Sequence, residues 1–265
     1  MIREYLVLCL AAAAGGAVNS IAGGGTLLTF PALFAVLTSL LGSEAEAAVV
    51  ANGTSTVALF PGAVAAVWGY RQELDAARPW IARLAVPSVL GGLLGSWLVV
   101  SLPAEWFERL VPWLILTAAV LFASQPLVTR LTGIGRPHDN PTARTLAGVI
   151  GFQFFVAVYG GYFGAGIGIL MLSALALMGL NDIHVMNGLK SFLNVCINGI
   201  AVLVFIWQAK VDWPLALMMA VAAIVGGYGG ARVSRRMNRS VVRAIVVAIG
   251  FGLASYYFYR QWQHG

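Results

Sequence analysis

An all-α polytopic membrane protein built from two homologous halves is the fold class this sequence predicts, and three observations carry it. Hydrophobic residues make up 60% of the 265 residues and charged residues only 10%, against roughly 25% charged in a soluble domain. The charges that exist are spaced to leave eight long apolar segments. A set of short motifs in the first half returns in the second at a constant offset. Lipid is therefore the solvent for much of this chain. The net charge of +6 reads as a determinant of membrane orientation, not as a nucleic-acid footprint.

The segments free of Asp, Glu, Lys and Arg run over 5–43, 47–70, 84–104, 110–129, 145–181, 191–209, 213–231 and 244–259. A helix needs about 20 residues to cross the hydrocarbon core, so six of the eight fit one span each. The first and fifth are too long for one span. Each carries a glycine cluster near its middle: Gly23, Gly24 and Gly25 in one, Gly160, Gly161, Gly164, Gly166 and Gly168 in the other. Glycine there interrupts a helix. Each long segment is thus expected to form two helical pieces, 5–22 with 26–41 and 145–162 with 167–180, which brings the total to ten.

Ala-Gly-Gly-Gly-Thr at 22–26 lines up with Phe-Gly-Ala-Gly-Ile at 163–167. Asn52-Gly53 lines up with Asn187-Gly188, Pro79 with Pro214, Gly91-Gly92 with Gly226-Gly227 and Gly95 with Gly230, all four at an offset of 135 residues. The expected organisation is a first repeat over 1–125, a second over 145–265, and a polar link over 126–144 containing Gly133, Gly135, Pro137, Asp139 and Pro141.

Charge parity separates two topologies. If each long segment crosses once, the halves run parallel and Lys and Arg divide nine to six across the membrane, leaving Lys190 aside. If each goes in and returns, the halves are inverted and the division becomes eleven to four. The positive-inside rule favours the second. It places the link in the cytoplasm and both termini in the periplasm. Inverted repeats with interrupted helices are a transporter plan whose substrate site lies where the breaks meet.

Candidate site residues follow from that plan. Gly23, Gly24, Gly25 and Thr26 begin the helix after the first break, and Gly164 and Gly166 begin the one after the second. A helix start offers unpaired N–H groups and the positive end of the dipole, which suits an anion. Asn19 precedes the first break. Asn187, Ser191, Asn194 and Asn198 recur at helical spacing on one face, with Lys190 on its edge. Asn52, Thr54, Ser55 and Thr56 occupy matching depth in the first half. A lysine inside a membrane segment is a functional candidate unless it snorkels to the interface. Glu44, Glu46, Asp182 and His184 stand at helix starts and read as dipole partners. Trp68, Trp80, Trp106, Trp207 and Trp213 read as interfacial anchors. Cys9 and Cys196 sit in apolar runs and suggest neither a disulfide nor a metal site. There is no nucleophile–base pair, metal-ligand spacing or phosphate loop, so no enzyme activity and no cofactor is expected.

The stretches Ala-Gly-Gly-Gly-Thr-Leu-Leu-Thr-Phe-Pro-Ala-Leu at 22–33 and Ala-Asn-Gly-Thr-Ser-Thr at 51–56 resemble the sulfite exporter TauE/SafE family. Gly-Gly-Tyr-Phe-Gly-Ala-Gly-Ile-Gly at 160–168 and Asn-Gly-Leu-Lys-Ser-Phe-Leu-Asn at 187–194 look like their counterparts. The resemblance implies a bacterial inner-membrane transporter of sulfur-containing anions such as sulfite or sulfonates. The second glycine motif departs from the first by Ala165 and Ile167. The expected function is export of such an anion by alternating access. An anion channel, or an uptake carrier for another small oxyanion or carboxylate, are the alternatives. The expected partners are the small anion and the lipid bilayer, with no nucleic acid and with a homodimer left open.

Overall fold

The computed structural model describes residues 2–22, 24–132, 143–178, 180, 182–234 and 239–264. Ten helices occur among them: α1 (Ile2–Ala22), α2 (Thr26–Leu41), α3 (Glu44–Gly69), α4 (Arg71–Ser101), α5 (Ala104–Thr132), α6 (Ala143–Tyr162), α7 (Ile167–Leu177), α8 (Ile183–Trp207), α9 (Trp213–Ser234) and α10 (Arg239–His264). The two expected breaks fall where the glycine clusters place them, between α1 and α2 and between α6 and α7. Most of the link lies outside the described residues.

Among the described residues, six helices are long and apolar enough to cross a membrane: α1, α3, α4, α5, α6 and α8. The apolar helices α2 and α7, and the Trp213–Gly227 stretch of α9, are shorter. At 1.5 Å per residue, α2 with 16 residues is about 24 Å long and α7 with 11 residues about 16 Å. Both fall short of a hydrocarbon core of roughly 30 Å. The chain is a polytopic helical membrane protein.

Local chemistry explains the boundaries. Gly42, at φ 70°, ends α2 in the left-handed conformation with its N–H on the Thr38 carbonyl. Ser43 then caps α3 by accepting from the Glu46 N–H, and Asp182 caps α8 by accepting from the His184 N–H. Each satisfies a helix-end group that has no intrahelical partner. The helices run past the apolar segments read from charge. The helix α4 begins at Arg71, a dozen residues before its uncharged stretch, and carries Arg71, Arg78 and Arg83 on its first turns. Charge marks where a helix leaves hydrocarbon, not where it ends.

Helix packing is reciprocal between the halves. The most extensive pairs are α1 with α9 and α4 with α6. A Cβ at Gly226 would lie 2.0 Å from the Ala13 carbonyl oxygen. At Gly91 it would lie 2.5 Å from the Phe154 carbonyl oxygen. Gly91 and Gly226, and likewise Ala13 and Phe154, are positions the sequence alignment pairs. The two middle helices, α3 and α8, cross antiparallel. Glu46 at the start of α3 pairs with Lys210 just beyond α8, while Gly188 near the start of α8 packs on Tyr70 at the end of α3. The matching contact at the other end sets Gly53 against Phe205 and the Lys210 carbonyl. The apolar core around α2 is aromatic. Phe30 is fully buried and packs on Phe34, Phe107 and Phe163, so the helix after the first break touches the loop of the second.

Candidate functional site

The two breaks are built differently. In the second, Gly164 and Gly166 have φ of 82° and 81°, a backbone region costly for a residue with a Cβ. The chain there is tied down by the Tyr159 hydroxyl, which donates to the Ala165 carbonyl at 2.9 Å. At the first break Gly25 is right-handed, and glycine is needed for space instead. A Cβ at Gly24 would sit 2.0 Å from the Phe122 ring, and one at Gly25 2.5 Å from the Gly15 carbonyl oxygen. These two glycines hold packing, while Gly164 faces a cavity. Gly23 lies outside the described residues.

That cavity is where the breaks meet. It is lined by Asn19, Thr26, Thr56, Leu59, Phe60, Ala63, Gly164, Asn194 and Asn198, with a volume of about 10 Å³, room for about one water. Thr26 Oγ1 is 4.0 Å from the position a Gly164 Cβ would take. The start of α2 therefore lies beside the second break. Leu27, Leu28 and Thr29 donate to the Gly24 and Gly25 carbonyls and Ile169 to the Gly166 carbonyl, which leaves the first one or two N–H groups of each helix, and both helix starts carry positive dipole ends.

Five of the candidate residues thus come together on one wall: Asn19, Thr26, Thr56, Gly164 and Asn194. Asn198 Nδ2 donates to the backbone carbonyl and to Oδ1 of Asn194, each at 2.9 Å. With its oxygen occupied, Asn194 keeps its own amide N–H group as a donor at the cavity. Thr56 Oγ1 donates to the Asn52 carbonyl at 2.8 Å and so offers lone pairs. Asn198 lies on the polar stripe, and its i+11 spacing from Asn187 is the signal that places it here. Leu59, Phe60 and Ala63 extend the wall down α3 from Thr56. Nothing in their residue type distinguishes them from lipid-facing neighbours.

The remaining candidates lie off the wall. Lys190 is buried, 7% exposed, one turn from Asn194 on α8. Its ammonium donates to Asn187 Oδ1 at 3.2 Å, and Asn187 Nδ2 in turn donates to the Ile183 carbonyl at 2.8 Å. A lysine this buried is not snorkelling. Ser191 is half-buried beside it. Ser55 Oγ and Thr29 Oγ1 share a hydrogen bond of 2.6 Å that joins α3 to α2. Asn52 Nδ2 donates to the Tyr162 carbonyl at the end of α6, 2.9 Å away. Glu44 pairs with Arg260 and Glu46 with Lys210 at 3.3 Å, at helix ends away from the cavity. Trp68, Trp106, Trp207 and Trp213 are exposed, as interfacial anchors are.

Comparison with known proteins agrees with this architecture. Residues 8–257 match the family described as "Sulfite exporter TauE/SafE". Among curated relatives, "Probable membrane transporter protein ORF9" of Sinorhizobium sp is 27% identical over 251 residues, covering 93% of this chain and 89% of that protein. "Probable membrane transporter protein" of Haemophilus influenzae is 26% identical over 251 residues, covering 93% and 92%. "Probable membrane transporter protein YfcA" of Escherichia coli K12 is 28% identical over 244 residues, covering 92% and 85%. No solved structure matches. With a match that runs from α1 to near the end of α10, the chain belongs to the sulfite exporter TauE/SafE family of membrane proteins.

Proposed function

We propose that this protein is a secondary transporter that exports small sulfur-containing anions, such as sulfite or organosulfonates, across the bacterial inner membrane by alternating access. The observation that carries the reading is the meeting of the two helix breaks at one polar cavity, a turn away from buried Lys190. Two helix starts, Thr26, Asn19 and the Asn194 amide offer hydrogen bonds to an oxyanion, and charge-assisted bonds of this kind are the strong ones. Lys190, whose ammonium is held toward Asn187 and lies beside Ser191, supplies positive charge about 10 Å along the helix from Asn194. A cavity of about 10 Å³ is too small for sulfite. The conformation described is thus a contracted one, and binding requires the bundles to part, as alternating access demands.

The halves are read as inverted repeats. The antiparallel crossing of α3 and α8 and the paired contacts Gly91–Phe154 and Gly226–Ala13 support this, together with the eleven-to-four division of positive charge. Both termini then face the periplasm. A phosphatase fused after Gly265 is expected to be active and a fluorescent protein fused there dark. The reverse pattern would sink the inverted arrangement.

Substrate class is tested by thermal denaturation of the purified protein with sulfite, sulfate, thiosulfate and short sulfonates. A ligand at 100 times its Kd stabilises by about 2.7 kcal/mol, so at least one sulfur oxyanion is expected to raise Tm by several degrees. Absence of any response across the series, with folding verified, removes this substrate class.

A further inference from the structure

One buried acceptor is unused by the anion site. Asn52 is 1% exposed. Its amide orientation is set by its partner: Nδ2 must face the Tyr162 carbonyl, because two oxygens cannot share a hydrogen bond. Oδ1 is thereby directed elsewhere, and among the described residues it has no hydrogen-bond partner. A buried acceptor without a donor is costly and rare in a native core. An anion is the wrong occupant, since it would bring negative charge to an oxygen.

The side chains that follow Asn52 on its face of α3 carry hydroxyls and no charge. Ser55 and Thr56 follow Asn52 at i+3 and i+4 on the same face of α3, and Ser55 is bonded to Thr29. Tyr162 is the last residue of α6, whose final carbonyls carry the negative end of the helix dipole. Interrupted helices in transporters use such C-terminal carbonyls to coordinate cations.

We propose that Asn52 Oδ1, buried near the negative end of the α6 dipole, is the anchoring ligand of a site for Na+, the coupling ion of the transporter. A monovalent ion suits neutral oxygen ligands. Ca2+ and Mg2+ are commonly held by carboxylates, and the side chains flanking Asn52 on this face carry none. The placement also explains coupling. Thr56, one turn from Asn52, and Gly164, two residues beyond Tyr162, both line the anion cavity. A cation at Asn52 therefore lies beside the bound anion, and each lowers the cost of burying the other.

The test compares thermal stability of the purified protein in NaCl, KCl and choline chloride at equal ionic strength. It uses no sulfur oxyanion, so its outcome is independent of the substrate reading. The expected result is a saturable rise in Tm of several degrees in NaCl alone, lost in Asn52→Leu and in Asn52→Ala. Identical curves in the three salts overturn the site, as a bound water would give. A full Na+-selective rise in folded Asn52→Leu or Asn52→Ala overturns it equally. If neither variant folds, equilibrium binding of radioactive sodium to the wild type decides. One ion per chain, displaced by NaCl but not by choline chloride, supports the site, and no saturable binding refutes it.

Discussion

Lys190→Ala is expected to lower anion transport in proteoliposomes by about 10-fold while the protein still inserts and folds. The size follows from charge and distance. A unit charge about 10 Å from an anion in a medium of effective dielectric constant near 20 contributes about 1.7 kcal/mol, and each 1.4 kcal/mol is a factor of ten. Lys190 is buried and held by Asn187 Oδ1, so the charge is delivered at a defined place. The control is Lys210→Ala. Lys210 pairs with Glu46 at the end of the bundle, its side chain 33% exposed. Pairs of that kind contribute roughly 0–1 kcal/mol, so transport is expected to change less than threefold. Wild-type flux in Lys190→Ala would remove this residue from the anion path.

The second large effect concerns stability. Gly95→Val is expected to lower Tm by several degrees and cut the yield of folded protein, whereas Gly62→Ala is expected to be neutral or slightly stabilising. A Cβ at Gly95 would lie 2.0 Å from the Val158 carbonyl oxygen and 2.8 Å from the Tyr162 nitrogen. At Gly62 nothing lies within 4 Å. The obstruction at Gly95 is backbone, which cannot rotate away, so α4 and α6 must separate. Overpacking of this sort costs about 1–3 kcal/mol or more. At Gly62 the substitution adds helix propensity worth up to about 1 kcal/mol. Small residues allow close helix approach where lipid supplies no hydrophobic drive between helices. Equal stability of the two variants, read by denaturation of the purified proteins, would contradict this account of the α4–α6 contact.

The ten helical pieces and both breaks were legible because each rests on a one-dimensional signal. Charge cannot enter hydrocarbon cheaply, so uncharged stretches report membrane segments. A stretch near 40 residues with glycines at its centre is too long for one span and breaks there into two helical pieces. The starts of α2 and α7, at Thr26 and Ile167, match that reading to the residue. Helix ends were less legible. The helix α4 extends over Arg71–Arg83 because arginine is a good helix former outside the lipid.

The site divides along the same line. Types and depths were readable: Asn19, Thr26, Thr56, Gly164 and Asn194 are polar or small residues inside apolar segments, and they meet at the cavity. Their individual roles were not. Asn52 and Ser55 have the same local pattern as Thr56, yet Asn52 bonds Tyr162 across 110 positions of chain and Ser55 bonds Thr29 across 26. Gly24 and Gly164 are both break glycines. One makes room for Phe122 and the other adopts a positive φ.

What the sequence by itself determined about this protein is where it meets lipid, where its helices are interrupted, and which residues are too polar for their surroundings. Hydration and backbone freedom act on each residue locally, so their imprint is read along the chain. Only the tertiary structure decided which of those polar groups spend their hydrogen bonds on another helix and which line the cavity. A donor's free energy depends on the partner that packing brings to it from the other half.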